Sequence, residues 1–293
     1  MTQARRFRAL LERGGMVVAP GAYDCITAKL IEQAGFDAVY MTGAGTAATL
    51  GYPDFGLLTM SEMVANARRI ASAVELPVIA DADTGYGNEL NVFRTVREFE
   101  QSGVAGIHIE DQEFPKKCGH LDDKQIIPRE DFTAKIRAAA AARRDSDFIV
   151  IARTDSRAVA GFDEAIARAN EALAAGADIA FVEAPQTIDE VWAVPRLVKG
   201  PCLLNVVRGG KTPDIDLSEA EAMGYKLAIV PGMLLQSVVA ICDRVLAELK
   251  ATHRHPPLVK EMTVPEMFQR FGADEWDALR TRFRPAPRRD AAE

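Results

Sequence analysis

The sequence predicts a parallel α/β fold, a closed (β/α)8 barrel of the TIM type with a C-terminal helical extension. Short apolar runs alternate with amphipathic helical segments about eight times along the chain. The apolar runs are nearly continuous, as expected of strands covered by helices on both faces. The 293 residues leave room for one barrel of about 250 residues and a short appendix. A doubly wound open sheet is the alternative, but no G-x-G-x-x-G turn marks a phosphate site for it.

Residues 4–13 read as an opening helix, and Gly14-Gly15 lead to a first strand at 16–19, closed by Pro20-Gly21. Asp24 is placed to cap a helix over 26–33 that Gly35 stops. The second strand, 38–41, breaks into a glycine-rich turn, Thr42-Gly43-Ala44-Gly45. Further strands are expected at 77–80, 106–109, 148–152, 179–182, 202–206 and 227–230. A 3.6-residue periodicity predicts the intervening helices at 61–73, 89–101, 129–143, 163–174, 188–197 and 218–222.

Beyond the eighth strand come a helix at 234–250, a polar break at 252–257 and a helical pair at 264–271 and 273–283. The tail RPAPRRDAAE reads as disordered. The barrel is therefore assigned residues 1–250 and the extension 251–293. A helical appendix after a complete barrel needs a surface to cover, and packing on a neighbouring subunit predicts a homo-oligomer.

The composition narrows the function. Hydrophobic residues are 48% and charged residues 26%, which fits a globular chain and excludes wholesale disorder. A net charge of −7 without a basic stripe argues against nucleic acid. No apolar run approaches the roughly 18 residues of a membrane span, and the first residues lack a signal-peptide core. A cytoplasmic protein with no membrane partner is expected. The four cysteines form no C-x-x-C pair. Cys202 and Cys242 read as buried small hydrophobes and Cys25 as a helix-start residue, which leaves Cys118 without an apolar context.

In such a barrel the active site lies where the strands end. Six consecutive strands finish in polar residues: Thr42 and Gly43, Asp81 and Asp83, His108 and Glu110, Arg153 and Asp155, Glu183, and Asn205. Asp81 and Asp83 are two apart, so on a strand they share a face, and Glu110 arrives from the next strand at the same height. Three clustered carboxylates repel unless a cation lies among them; hard oxygen ligands that keep water suit Mg²⁺, with Mn²⁺ a substitute. The other reading pairs these carboxylates with Arg153 and Lys117. Cys118 follows Lys117 and precedes His120 by two; cationic neighbours are expected to lower its pKa. Asp54, in the Tyr52-Pro53-Asp54 turn, is a candidate for orienting catalytic groups.

These motifs resemble the isocitrate lyase and phosphoenolpyruvate mutase superfamily. The carriers are ADADTGYG at 80–87, IEDQ-x-FPKKCGH at 109–120, ARTD at 152–155, EAP at 183–185 and N-x-x-x-GGKTP at 205–213, in order over about two thirds of the chain. K-K-C-G-H is similar to the lyase side of the superfamily. The resemblance implies a (β/α)8 barrel that exchanges its last helix within a homotetramer. It implies Mg²⁺ held through Asp81, Asp83 and Glu110, mostly by way of water. It places a small-molecule carboxylate on Thr42, Gly43 and Ala44, bracketed by Arg153 and Asn205 with Glu183 at the site, under a mobile loop carrying Lys117, Cys118 and His120.

The implied reaction is a retro-aldol (Claisen-type) cleavage of a 2-hydroxy dicarboxylate to a 2-oxo acid such as pyruvate, with Cys118 as the acid. Methylisocitrate lyases have Ser in place of Thr42, a glutamate in the segment after Asn205 and an arginine near Gln236. Without those groups, and with GGKTP present, the chain looks more like the dimethylmalate lyase and carboxyphosphonoenolpyruvate mutase branch, so a substituted malate is expected ahead of methylisocitrate. A phosphonomutase, an oxaloacetate decarboxylase or hydrolase, and a non-catalytic binding protein are the competing readings.

Overall fold

A computed structural model describes residues 1–284. Its eight strands are β1 (Val17–Ala22), β2 (Val39–Met41), β3 (Val78–Asp81), β4 (Gly106–Glu110), β5 (Ile149–Thr154), β6 (Ile179–Val182), β7 (Cys202–Asn205) and β8 (Leu227–Val230). All pair in parallel in chain order, and β1 pairs with β8, so the sheet is a closed barrel. The first nine helices are α1 (Gln3–Glu12), α2 (Cys25–Gln33), α3 (Gly43–Thr49), α4 (Met60–Ala73), α5 (Glu89–Ser102), α6 (Arg129–Ala142), α7 (Phe162–Ala174), α8 (Ile188–Leu197) and α9 (Leu217–Met223). Three more follow β8: α10 (Met233–Thr252), α11 (Val264–Gln269) and α12 (Ala273–Phe283).

Inward-facing side chains fill the barrel: Tyr40, Ile79, Ile151, Phe181, Leu203 and Ile229 belong to one buried cluster. Phe7 of α1 joins that cluster and is fully buried. Gln3 of α1 meanwhile bonds the Ala71 carbonyl and the Val78 N–H, which fixes the helix at the amino end of the strands. The opposite, carboxyl end is left for chemistry. Gly106 opens β4 without a side chain because a Cβ there would lie 2.6 Å from the Ile149 carbonyl oxygen.

The sequence-based elements recur within a few residues of their expected ends, and Asp24 does cap α2, accepting from the Thr27 N–H. Two expectations fail. The stretch at Thr42-Gly43-Ala44-Gly45 is the capped start of α3, with the Thr42 side chain accepting from the Gly45 N–H. Its small residues mask a helix because Gly43 and Gly45 stand where a Cβ would strike Asp81 or Tyr23. Cys242, expected to be buried, is exposed on α10; Cys202 is buried as expected and Cys25 begins α2.

The chain forms two compact units, Met1–Val238 and Val239–Glu293, which part within α10. In the described part of the second unit, Trp276, Phe283 and Val264 are exposed, and neither α11 nor α12 has a buried residue. Apart from Arg284, the RPAPRRDAAE tail lies outside the described residues. Among the described residues no helix is long and apolar enough to cross a membrane.

Candidate active site

A cavity of about 110 Å³ opens at the carboxyl end of the barrel. Nine of the residues singled out by sequence line it: Thr42 and Ala44 from the start of α3, Asp54, Asp81 at the end of β3, Cys118 and His120, Arg153, Glu183 and Asn205. Gly43, Asp83, Glu110 and Lys117 do not. Gly43 supports the wall from behind, donating its N–H to Asp81 Oδ2 at 3.2 Å.

Asp81 is the last residue of β3, but Asp83 is past the strand, with φ at +47°. The alternation of strand side chains therefore does not govern Asp83. Its N–H returns to Asp81 Oδ1 at 3.0 Å, and its carbonyl accepts the Glu110 N–H at 2.9 Å, which sets Glu110 level with it.

All three carboxylates are buried. Burial pushes Asp81 up, but His108, Lys116 and Arg153 around it hold it down to about 2. Burial raises Asp83 to about 6 against the pull of Lys116, and raises Glu110 well above the usual carboxylate range. Neither Glu110 oxygen has a hydrogen-bond partner; its nearest cation is Arg153, with Nε 3.3 Å from Oε2. Buried carboxylate oxygens of this kind demand positive charge. Among the described residues no three His, Cys, Asp or Glu groups converge closely enough to hold a metal directly. The donor set fits a hard cation that reaches Asp81, Asp83 and Glu110 through water.

The lysine at these carboxylates is Lys116 rather than Lys117. Its Nζ lies 2.9 Å from Asp83 Oδ1 and 2.5 Å from Asp54 Oδ1. Burial lowers the Lys116 pKa, but Asp83, Asp54 and Glu110 outweigh it and raise it well above the ordinary lysine value. Lys117 is tied through its backbone: its N–H and carbonyl both bond the Gln112 amide, at 3.1 and 2.8 Å. Adjacent lysines in K-K-C-G-H are indistinguishable by sequence, and only the loop's path selects one.

Cys118 also departs from expectation. Burial pushes its thiol up, the backbone bond toward His120 lowers it less, and Asp54 adds to the rise. Lys117, expected to lower it, is tied to Gln112 through its backbone, and the pull of Arg153 is outweighed by burial. The group is therefore a protonated thiol at neutral pH, which suits an acid better than a nucleophile.

The His120 ring is held on both sides. Its Nδ1 accepts the Lys211 N–H at 3.0 Å, so Nε2 carries the hydrogen and faces Glu183 Oε1 at 3.2 Å. Burial lowers the His120 pKa and keeps the ring neutral at neutral pH despite Glu183. Gly210 leaves the ring its space, since a Cβ there would sit 2.6 Å from Nδ1. Asn205 Nδ2 donates to both Glu183 oxygens at 3.2 Å.

Tyr40 and His108 also belong to the site; the sequence reading counted His108 among the strand-end polar residues without giving it a role, and it missed Tyr40. Tyr40 Oη meets His108 Nε2 at 2.7 Å and Asp81 Oδ2 at 3.3 Å, and burial lowers His108 to about 4. The available signal was a titratable ring in the middle of an apolar strand, paired in register with Asp81. The remaining wall is apolar, formed by Val207, Ile229, Pro231 and Leu235.

The sequence profile of the phosphoenolpyruvate phosphomutase family matches residues 7–250. The chain belongs to that family. Within it, the chain is 51% identical over 232 residues to 2,3-dimethylmalate lyase of Eubacterium barkeri, covering 79% of this chain and 80% of that one. It is 44% identical over 286 residues to the chloroplastic carboxyvinyl-carboxyphosphonate phosphorylmutase of Arabidopsis thaliana, covering 95% and 84%. A crystal structure of 2,3-dimethylmalate lyase superposes with a TM-score of 0.92 at 41% identity, over 100% of this chain and 99% of that one. The shared family and fold agree with the resemblance carried by the strand-end motifs.

Site-resolved alkylation tests the state of the thiol. Cys118 is expected to react slowly at neutral pH and to accelerate only above the pH at which free glutathione does, because burial raises its pKa. A midpoint at or below that of glutathione would show a thiolate and remove the acid assignment.

Proposed function

We propose that the chain is a metal-dependent carbon–carbon lyase that cleaves a substituted malate to a 2-oxo acid and a carboxylate. The observation that carries this reading is the placing of the Cys118 thiol in the same cavity as Arg153, Asn205 and the Asp81 carboxylate, where burial raises its pKa and favours an acid.

One carboxylate of the substrate is received by Thr42, Ala44 and the Arg153 guanidinium, with Gly43 supporting that wall from behind, and Asn205 and Glu183 bracket the other end. A base takes the hydroxyl proton, the C–O bond becomes a carbonyl, and the electrons of the breaking C–C bond pass to the carbon beside the second carboxylate; the proton held by the base later restores the Cys118 thiol. The resulting enolate takes the proton of the Cys118 thiol and leaves as a carboxylate. His120 and Lys117 belong to the loop that brings Cys118 in, and Asp54 anchors that loop through Lys116 and through its own carbonyl, which accepts the Cys118 N–H at 3.1 Å. Closure excludes water from the carbanion. Mg²⁺, or Mn²⁺, held through water by Asp81, Asp83 and Glu110 would offset negative charge on the forming 2-oxo acid.

Cys118→Ser is expected to lower 2-oxo acid release by about 100-fold or more, as removal of a general acid does, with binding of pyruvate retained. A coupled assay across substituted malates, methylisocitrate, isocitrate and oxaloacetate reads this. Unchanged turnover in the variant would sink the lyase mechanism. The phosphonomutase reading, which the Arabidopsis relative's name suggests, has no step that needs the thiol, so the same variant separates the two.

Asp83→Ala should abolish both activity and the heat of Mg²⁺ binding in calorimetry. Retention of either removes the metal assignment.

The exposed apolar residues of the C-terminal helices, Phe268, Trp276 and Phe283 among them, support self-association, and we place the chain in the cytoplasm as a homotetramer. Light scattering should return four times the 31.9 kDa chain mass, and a monomer at micromolar concentration would refute this.

A further inference from the structure

The loop that carries Cys118 is closed at its base by an antiparallel bridge between Gln112 and Ile126, and it is held down by two buried lysines. The first, Lys116, is paired with Asp54 and Asp83, so it draws on a carboxylate that the proposed metal site also uses. The second, Lys124, draws on a different partner. Its side chain is 1% exposed, and Nζ donates to the Gly119 carbonyl and to Asp155 Oδ1, the latter at 2.8 Å.

Asp155 is itself fully buried and is shared. Its Oδ2 accepts from Arg153 Nε at 2.9 Å, and its Oδ1 also accepts from Arg153 Nη2 at 3.2 Å. Burial would raise the Asp155 pKa, but Arg153 and Lys124 hold it below the usual range, so the junction stays anionic. Arg153 and the loop backbone thus meet on one carboxylate. They also meet directly, since a Cβ on Gly119 would come 2.4 Å from Arg153 Nη2 and from Glu183 Oε1. The backbone between Cys118 and His120 can lie on the guanidinium only while something holds it there.

We propose that Lys124 is a positioning residue: it latches the Gly119 carbonyl onto Asp155, a carboxylate outside the proposed metal set, and so couples closure of the Cys118 loop to the orientation of Arg153. The catalytic consequence rests on the lyase reading above, whereas the latch itself does not. The Gly119 carbonyl keeps no charged donor once Lys124 is gone, and Asp155 keeps only Arg153. Loss of a buried charge-assisted contact of this kind opens the loop more often without unfolding the barrel.

Lys124→Met tests this with the full chain. Iodoacetamide labelling resolved by peptide mass is expected to rise about tenfold or more at Cys118, the loss of one charged hydrogen bond, while Cys202 in the core stays protected. Turnover of the best substituted malate should fall by a similar factor with KM moved less. An unchanged Cys118 rate, or Cys118 and Cys202 rising together, overturns the latch. If no malate is cleaved by the parent chain, the function reading fails while the labelling still decides the latch. Should the variant not fold, acetic anhydride labelling of the parent chain takes its place. Lys124 is expected to react far more slowly than the exposed Lys199, and equal rates overturn the proposal.

Discussion

At the carboxyl end of the barrel the Arg153 guanidinium faces three carboxylates, Asp155 at 2.9 Å, Glu110 at 3.3 Å and Glu183 at 3.8 Å, and all four side chains are buried. A buried charge persists only with partners, and removing one partner from such a cluster leaves the rest uncompensated. The other groups can be read as the means by which this excess of negative charge is met. Lys124 shares Asp155, while His120 and Asn205 donate to Glu183. Lys116 serves Asp83 and Asp54 on the far side. What is left over falls on Glu110, whose oxygens accept no hydrogen bond. The proposed divalent cation is the complement to that remainder.

The same constraint explains the path of the loop. A flexible segment with two lysines would ordinarily keep their charges in water. Here Lys116 and Lys124 are both buried because the barrel mouth offers them carboxylates that would otherwise be unpaired. The backbone between them is thereby drawn across the cavity, and Cys118 comes with it. Burial then raises the thiol's pKa, so the interaction that closes the loop also keeps the acid protonated.

Much of the fold was legible because parallel strands buried on both faces leave uninterrupted apolar runs, as at Ile179–Val182 and Leu227–Val230, where the expected and observed limits coincide. Helix α3 was not legible, since Gly43 and Gly45 are selected for close approach to Asp81 and Tyr23 rather than for helix propensity. Strand-end position revealed Asp81, Arg153, Glu183 and Asn205 because the barrel's geometry turns chain order into spatial convergence. It did not reveal the choice of Lys116 over Lys117, the left-handed turn at Asp83 or the sign of the Cys118 shift. Each of these depends on a loop's path and on contacts between residues far apart in sequence.

The sequence reading assigned substrate choice to the segment from Asn205 to Gln236, and the cavity wall gives that assignment physical content. Val207, Ile229, Pro231 and Leu235 form the side away from the carboxylates, and Gln236 does not reach the lining. Among the described residues the only arginine or lysine on the lining is Arg153, already divided among three carboxylates. A third substrate carboxylate placed against Val207 and Leu235 would lose its water and gain no cation, which costs far more than an alkyl group loses there. An alkyl substituent in the same place would instead be stabilised by leaving water, at roughly 25 cal/mol per Å² of apolar surface. For the proposed lyase, the apolar wall therefore favours a substituted malate over a tricarboxylate by the same rule that packs the lysines of the loop: charge is buried here only where its counter-charge is already in place.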